Sequence, residues 1–299
     1  MSIRLDFIAP SGQLASVLAP QTMVPDSWDA AVPADRMQSR ALETPSYPAN
    51  YAAIVVDDKS GQVLHELNAD VPRHPASLAK IMTLYLLFEQ LEAGRLRLDT
   101  PLEVSAHAAR QLPMKLGLEA NQTIQIEDAI KALVTKSAND VAVVIGEALG
   151  GTEEEFAKLM TLKAKMLRMT NTTYVNASGL PAKKQITTAR DQAFLGRAIQ
   201  QRFPRYYGYF ATPSFQYRGT EIRNRNHLLE QVRGLDGIKT GYTEASGYNL
   251  TSSVRRDDKH IVAVVMGCTS NAMRDARMRQ LIEEYISLAS TQRTASIFI

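Results

Sequence analysis

Residues 52–67 read AAIVVDDKSGQVLHEL, and this stretch decides the fold. Ala52–Asp57 is an apolar run rich in β-branched residues, Asp58-Lys59-Ser60-Gly61 supplies turn residues, and Gln62–Leu67 alternates polar and apolar. That pattern predicts a β-hairpin. A helical pattern starts near Ser77 and runs to about Glu92, where Ala93-Gly94 ends it. Further helices are predicted over Ile126–Lys136, Asp140–Leu149 and Thr188–Gln200. Gly150-Gly151 breaks the chain, and Thr152-Glu153-Glu154-Glu155 offers a capping box for another helix. Strand signals return after Gly234, at Tyr248–Val254 and His260–Met266, before a final amphipathic helix over about Ala272–Leu288. Strands, a block of helices, more strands and a closing helix predict an α/β chain of the α+β kind. One antiparallel sheet would be built from both chain ends, with the helical block inserted between them and a site at the seam.

The corresponding organisation is a poorly ordered lead-in over 1–48, one catalytic domain over 49–290 and a tail over 291–299. Within the domain, residues 49–73 and 230–290 form the sheet part and residues 74–229 the helical part. The lead-in is rich in Pro, Ala, Ser and Gln without clear periodicity. Arg4 is followed by an apolar stretch that Asp6 and Pro10 interrupt, so it makes a poor export signal. No run approaches the ~18 apolar residues of a membrane span, and no membrane anchor is expected within this chain.

Composition excludes several classes. The 299 residues are 45% hydrophobic and 22% charged, with a net charge of +3. That charge is too small for a nucleic-acid footprint, even with the basic Asn224-Arg225-Asn226-His227 segment. Five scattered histidines form no HExxH spacing, so neither a metal nor any other cofactor is expected. The lone Cys268 sits in an apolar run and reads as a small buried strand residue. Tyr206–Phe210 reads as aromatic packing against the helical block, and Arg255–Lys259 as a solvated hairpin turn.

Three segments carry chemistry. The first is His74-Pro75-Ala76-Ser77-Leu78-Ala79-Lys80. Serine and lysine three apart at a helix start share a face, and the helix N-terminus favours an oxyanion there. A lysine with the ordinary pKa of about 10.4 is neutral in only about one molecule in a few thousand at pH 7. Burial must therefore lower that pKa by several units if Lys80 is to act as a base. The second segment, Lys136-Ser137-Ala138-Asn139-Asp140, puts a hydroxyl and a carboxamide between two predicted helices. Taken alone, it reads more readily as a helix cap. The third, Gly237-Ile238-Lys239-Thr240-Gly241-Tyr242, leads into a strand and offers an edge to an extended peptide.

Ser-x-x-Lys, Ser-x-Asn and Lys-Thr-Gly in this order form the motif set of penicillin-binding proteins and class A β-lactamases. Longer matches include Pro75–Thr83, Thr188–Asp191, Asn224–Asn226, Gly234–Gly241 and Gly247–Leu250. On these residues the chain resembles the low-molecular-mass D-alanyl-D-alanine carboxypeptidases over about residues 49–288. The resemblance implies a β-lactamase/transpeptidase-like fold and a serine hydrolase that removes D-alanine from peptidoglycan stem peptides ending in D-Ala-D-Ala. It also implies acylation by β-lactams and an extracytoplasmic setting.

Carried over by position, Ser77 is the nucleophile and Lys80 its base, while Ser137, Asn139 and Lys239 transfer protons and position groups. Thr240 and Gly241 bind substrate, and the backbone N–H groups of Ser77 and Tyr242 are the oxyanion donors. Arg274 matches the arginine that helps hold the substrate carboxylate, although an arginine opening an amphipathic helix is more often solvated. Arg225 is a weaker candidate for peptide contact. The chain departs from its relatives at Ala138, where many carry glycine, and at Ser178-Gly179-Leu180, where some carry His-Gly-Leu. A class A β-lactamase needs a glutamate about 36 residues after Ser-x-Asn, but position 173 is threonine and no Glu lies between Glu155 and Glu221. A non-catalytic binding module is the other alternative.

Overall fold

The computed structural model describes residues 47–294. The expected lead-in therefore lies almost wholly outside the described residues, and the expected tail does so from residue 295 onward. In chain order the elements begin with β1 (Ala52–Asp57), β2 (Val63–Leu67) and α1 (Ala79–Glu92), with a 3-10 turn over Ala76–Leu78 just before α1. There follow β3 (Pro101–Glu103), α2 (Ala106–Ala109), β4 (Thr123–Gln125), α3 (Ile126–Thr135), α4 (Asn139–Gly150) and α5 (Glu153–Met166). Next come α6 (Ala189–Arg202), α7 (Pro204–Tyr207), β5 (Ser214–Tyr217), β6 (Thr220–Arg223) and α8 (Leu228–Gln231). The chain closes with β7 (Leu235–Thr243), β8 (Gly247–Arg256), β9 (Lys259–Cys268) and α9 (Asn271–Tyr285).

The main sheet is five-stranded, in the order β2-β1-β9-β8-β7. Every pairing is antiparallel, and β1 joins the two chain ends by pairing with β9, Ala52 opposite Met266 and Asp57 opposite Ile261. This is the sheet expected from residues 52–67, with the helical block inserted between its halves.

β1 and β9 are apolar along their length because both faces are covered. Ile54, Val56, Val262 and Val264 point into the cluster shared with the helical block. Ala53, Val55, Ile261, Ala263 and Val265 point into the second cluster, with Met278, Leu281 and Ile282 of α9. The period of two between faces is that of an extended chain. Full burial of each large aliphatic side chain contributes about 1.5–3 kcal/mol.

On the helical side, twelve of the fourteen residues of α1 are buried. A helix buried on nearly every side lies inside the domain. Phe88 of α1 meets Tyr206 and Phe210 at ring-centroid distances of 5.3 and 6.3 Å, the aromatic packing expected of that segment. Thr152 Oγ1 accepts from the Glu155 N–H at the start of α5, half of the capping box read in the sequence.

The structure departs from the sequence reading in several places. Gly237–Tyr242 does not merely lead into a strand; it lies within β7, the edge strand. The small hairpins β3–β4 and β5–β6 were not legible, having strands of only three and four residues. The Arg255–Lys259 turn is largely solvated as expected, with Arg255, Asp257 and Asp258 exposed, although Arg255 pairs with Asp236 and Arg256 with Glu283 of α9. Cys268 is buried at the end of β9, and that burial pushes its thiol up to about 11, far from a reactive thiolate. Among the described residues no helix is long and apolar enough to cross a membrane.

Candidate active site

The 3-10 turn carrying Ser77 packs against edge strand β7, while Lys80 lies one turn further along, inside the domain. Contact between turn and strand is close. A Cβ on Gly241 would fall 3.1 Å from both the Pro75 carbonyl oxygen and the Ser77 nitrogen, so glycine is what lets β7 come this near. On the other side, Gly179 has φ +87°, and a Cβ there would collide with the Ala76 carbonyl oxygen.

Lys80 is fully buried because α1, which carries it, is enclosed on nearly every side. Its Nζ lies 3.0 Å from Ser77 Oγ, 2.8 Å from Asn139 Oδ1 and 2.5 Å from the Ser178 carbonyl oxygen. The last two partners can only accept, so a neutral amine spends its N–H bonds on them and keeps its lone pair for the Ser77 hydroxyl. Burial lowers the Lys80 pKa to about 7, against a small opposing pull from Asp140. The several-unit depression that a basic Lys80 requires is therefore built into the fold.

Asn139 opens α4 but does not cap it, since the N-cap residue is Ala138 and no side-chain cap bond forms there. Its Nδ2 donates to the Leu112 carbonyl at 2.9 Å, and that fixes Oδ1 toward Lys80. The buried carboxylate of Asp140 accepts from the backbone N–H groups of Leu116, Gly117 and Leu118, locking the 110–118 loop to this helix start. Ser137 has φ +62°, which turns the chain out of helix between α3 and α4. Its hydroxyl is buried and has no hydrogen-bond partner among the described residues. The capping reading of this segment is thus excluded for both side chains.

Lys239, within β7, is 2% exposed and donates from Nζ to the Thr240 carbonyl at 2.9 Å. Burial, with the neighbouring cations Lys80, Arg225 and Arg274, holds its pKa well below the ordinary lysine value. Arg274 is buried, contrary to the solvated reading; it opens α9 and pairs with Asp275. Arg225 stands exposed on the β6–α8 connection, its backbone N–H donating to the Thr135 carbonyl. Thr240 is buried, whereas Tyr242 is about half exposed with its ring 4.2 Å from that of Tyr248. The cleft therefore brings together Ser77, Lys80, Asn139 and a cluster of positive charge around Lys239.

One participant escaped sequence reasoning. The Ser178 carbonyl touches Lys80, yet a backbone oxygen leaves no mark in a side-chain pattern. The segment is placed by Thr83 of α1, whose hydroxyl donates to the Ala177 carbonyl at 2.7 Å. Among the described residues no cluster of three or more His, Cys, Asp and Glu could hold a metal ion.

Comparison with known proteins bears on this geometry. The profile of the D-alanyl-D-alanine carboxypeptidase family, peptidase S11, matches residues 39–270. The chain is 35% identical over 250 residues to D-alanyl-D-alanine carboxypeptidase DacC of Escherichia coli K12, a match covering 81% of this chain and 62% of that protein. It thus spans about three-fifths of the length of that relative. The crystal structure of D-alanyl-D-alanine carboxypeptidase DacD from Francisella tularensis is similar with a TM-score of 0.77 and 28% identity, over 93% of this chain and 76% of that one. Penicillin-binding protein D2 from Listeria monocytogenes, solved in its ampicillin-bound form, is similar with a TM-score of 0.69 and 30% identity, over 80% of this chain and 98% of that one.

Proposed function

The chain belongs to the D-alanyl-D-alanine carboxypeptidase family, and on that footing we propose that it removes the terminal D-alanine from peptidoglycan stem peptides through an acyl-enzyme on Ser77. The observation that carries this reading is Lys80 Nζ, buried 3.0 Å from Ser77 Oγ with its other partners restricted to acceptors.

The substrate lies extended along β7, pairing with the edge of the sheet. Its terminal carboxylate is held by Thr240 and by the positive potential of Lys239, Arg274 and Arg225. Lys80 takes the Ser77 hydroxyl proton as Oγ attacks the carbonyl carbon of the penultimate D-alanine. Backbone N–H groups of Ser77 and Tyr242 stabilise the oxyanion, in line with the close approach of β7 to the serine turn. The Ser137 hydroxyl passes a proton to the departing amine nitrogen. D-alanine leaves, and water then attacks the acyl carbon to free Ser77 and the shortened peptide. A β-lactam acylates the same oxygen. Residues 49–290 act as one catalytic unit, and the working compartment lies outside the cytoplasm, where stem peptides are.

A β-lactamase reading is disfavoured by the absence of glutamate between Glu155 and Glu221. The test is intact-protein mass spectrometry after fluorescent-penicillin labelling, run beside D-alanine release from a diacyl-D-Ala-D-Ala peptide. A stable adduct with D-alanine release, both lost in Ser77→Ala, is the expected result. An adduct that disappears within seconds would replace it with the β-lactamase reading, and an adduct without D-alanine release with a binding module.

A further inference from the structure

Between Glu155 and Asp191 the chain carries seven Lys and Arg residues and no Asp or Glu. The whole chain has a net charge of only +3, so this segment holds the excess and the remainder is net negative. We propose that the outer face of α5, with the connection that follows it, is a docking surface for an anionic lipid bilayer. The proposal stands apart from the reaction at Ser77. It concerns a helix lying on a membrane, a different mode from the spanning helix that the described residues lack.

The helix supplies the first argument. Phe156, Ala157, Met160 and Ala164 form its buried side, packed toward α4 and α1. A helix with one buried stripe should be polar opposite it. Instead Leu159, Leu162 and Met166, at positions i, i+3 and i+7, form an outward ridge, with Leu162 56% and Met166 66% exposed. Val175 adds an exposed apolar side chain beside α5, placed there by hydrogen bonds between Thr161 Oγ1 and the backbone of Tyr174. These are four of the nine exposed large apolar side chains among the described residues. Single exposed apolar residues are ordinary, whereas a grouped ridge marks an interaction surface.

Charge names the partner. Three of the cations are answered: Lys158 by Glu154 and Glu155, Lys163 by Glu89, and Arg190 by Glu66 and Asp70. Lys165, Arg168, Lys183 and Lys184 are exposed and form no ion pair among the described residues. Lys165 lies on α5 next to the ridge, and Arg168 follows its C-terminus, where a φ of +62° turns the chain. Lys183 and Lys184 precede Gln185, whose Oε1 accepts from the Val175 N–H. The acids of α5, Glu153–Glu155, are confined to its first turn, away from Leu162 and Met166. A soluble polyanion would engage the cations and leave the ridge in water. An anionic bilayer satisfies both, because Leu and Met side chains enter the headgroup boundary while Lys and Arg stems reach the phosphates.

The test is co-sedimentation of the whole protein with vesicles of phosphatidylcholine, alone or mixed with phosphatidylglycerol. Each free cation near an anionic surface contributes about fivefold in partitioning, so half of the protein should bind at about millimolar mixed lipid. Phosphatidylcholine alone should bind little, and added salt should weaken binding to the mixed vesicles. Lys165→Ala combined with Arg168→Ala should lower binding about 25-fold, and Leu162→Ser combined with Met166→Ser about tenfold. Leu288→Ser, at a 60% exposed apolar residue just past α9, should change nothing. A thermal melt of each variant checks that it is folded. Equal sedimentation with both vesicle types would overturn the proposal. So would binding to mixed vesicles that the serine pair leaves intact and soluble polyglutamate abolishes, which would assign the face to an acidic polymer or protein.

Discussion

Two buried polar clusters lie at different ends of the sheet, and each contains a serine hydrogen-bonded to a base. Around Ser77 the base is Lys80, its Nζ 3.0 Å from Oγ. Around Ser253 of β8 it is His260, whose Nε2 lies 2.9 Å from Ser253 Oγ while Nδ1 lies 3.0 Å from Asp58 Oδ2. By hydrogen bonds alone the second cluster is the better copy of a serine-histidine-aspartate triad. Charge and access separate them. Asp58 is also approached by Arg197, Arg293 and Gln201, and the Ser253 hydroxyl already has Gln200 Oε1 as a partner at 3.0 Å. Burial alone would raise the Asp58 pKa, but His260, Gln201 and Arg197 bring it well below the usual carboxylate range. Ser253 itself is fully enclosed. In the Ser77 cluster, by contrast, Ser137 Oγ is unpartnered among the described residues and Lys239 is crowded by cations. The comparison teaches that a satisfied network holds a fold together, whereas one left incomplete awaits a ligand.

Removing the base is the strongest way to probe this contrast. Lys80→Ala should lower the second-order rate of penicillin acylation by about 10²–10⁴-fold, the range for general-base catalysis. A thermal melt should show no matching loss of stability, because a buried amine of depressed pKa contributes little to the fold. The pH dependence follows from the same pKa of about 7. Only the neutral amine accepts the serine proton, so acylation should fall tenfold per pH unit below about 7 and level off above it. A rate independent of pH between 5 and 8 would show that Lys80 is not the base.

The next largest effect belongs to the other cluster. Asp58→Asn leaves Arg197 and His260 without their buried carboxylate and should cost about 3–5 kcal/mol in urea denaturation. Acylation per folded molecule should stay within about twofold, since the cluster lies outside the cleft. The pH sign is the same as for Lys80, but stability is what changes instead of rate. A folded pKa held below the unfolded one gives stability that is present at neutral pH and lost on acidification. Acid unfolding of the Asp58→Asn variant should accordingly be less steep than that of the parent.

Arg274→Ala should raise KM for D-Ala-D-Ala peptides by about tenfold, the loss of one charge-assisted hydrogen bond. Acylation by a neutral β-lactam ester should change far less. Equal losses on both substrates would make Arg274 a structural residue. Ser253→Ala is the smallest expected change, about 1 kcal/mol in stability with acylation unaltered. Any loss of D-alanine release in that variant would break the comparison, because it would give the triad-like cluster a share in the chemistry.

Much of this was legible in the sequence. The hairpin at Ala52–Leu67 and the returning strands of β8 and β9 were visible because alternation and β-branched runs report burial directly. Ser77, Lys80, Ser137, Asn139 and Lys239 were visible because their spacing is local and their residue types are chemically restricted. The full extent of β7 was not, since Gly237 and Gly241 dilute the strand signal at the very positions where close approach requires them. Arg274 was reached only through the family resemblance, because its burial depends on how α9 packs beside β8 and β9, which no local pattern encodes. Asp58 read as an ordinary turn residue for the same reason: Arg197 and His260 lie 139 and 202 positions further along the chain.

The pairing of β1 with β9 has a consequence for how the molecule comes into being. Its partners are separated by some two hundred residues, and β9 also bridges β1 to the β8–β7 pair. During synthesis the helical block can collapse early on local contacts, but β1 has no β9 to pair with until residues near Cys268 have left the ribosome. Until then the serine turn has no edge strand beside it, and the nascent chain exposes one apolar face of its first hairpin. Assembly of the cleft is thereby tied to completion of the sheet, so an unfinished chain carries the nucleophile without the wall it works against.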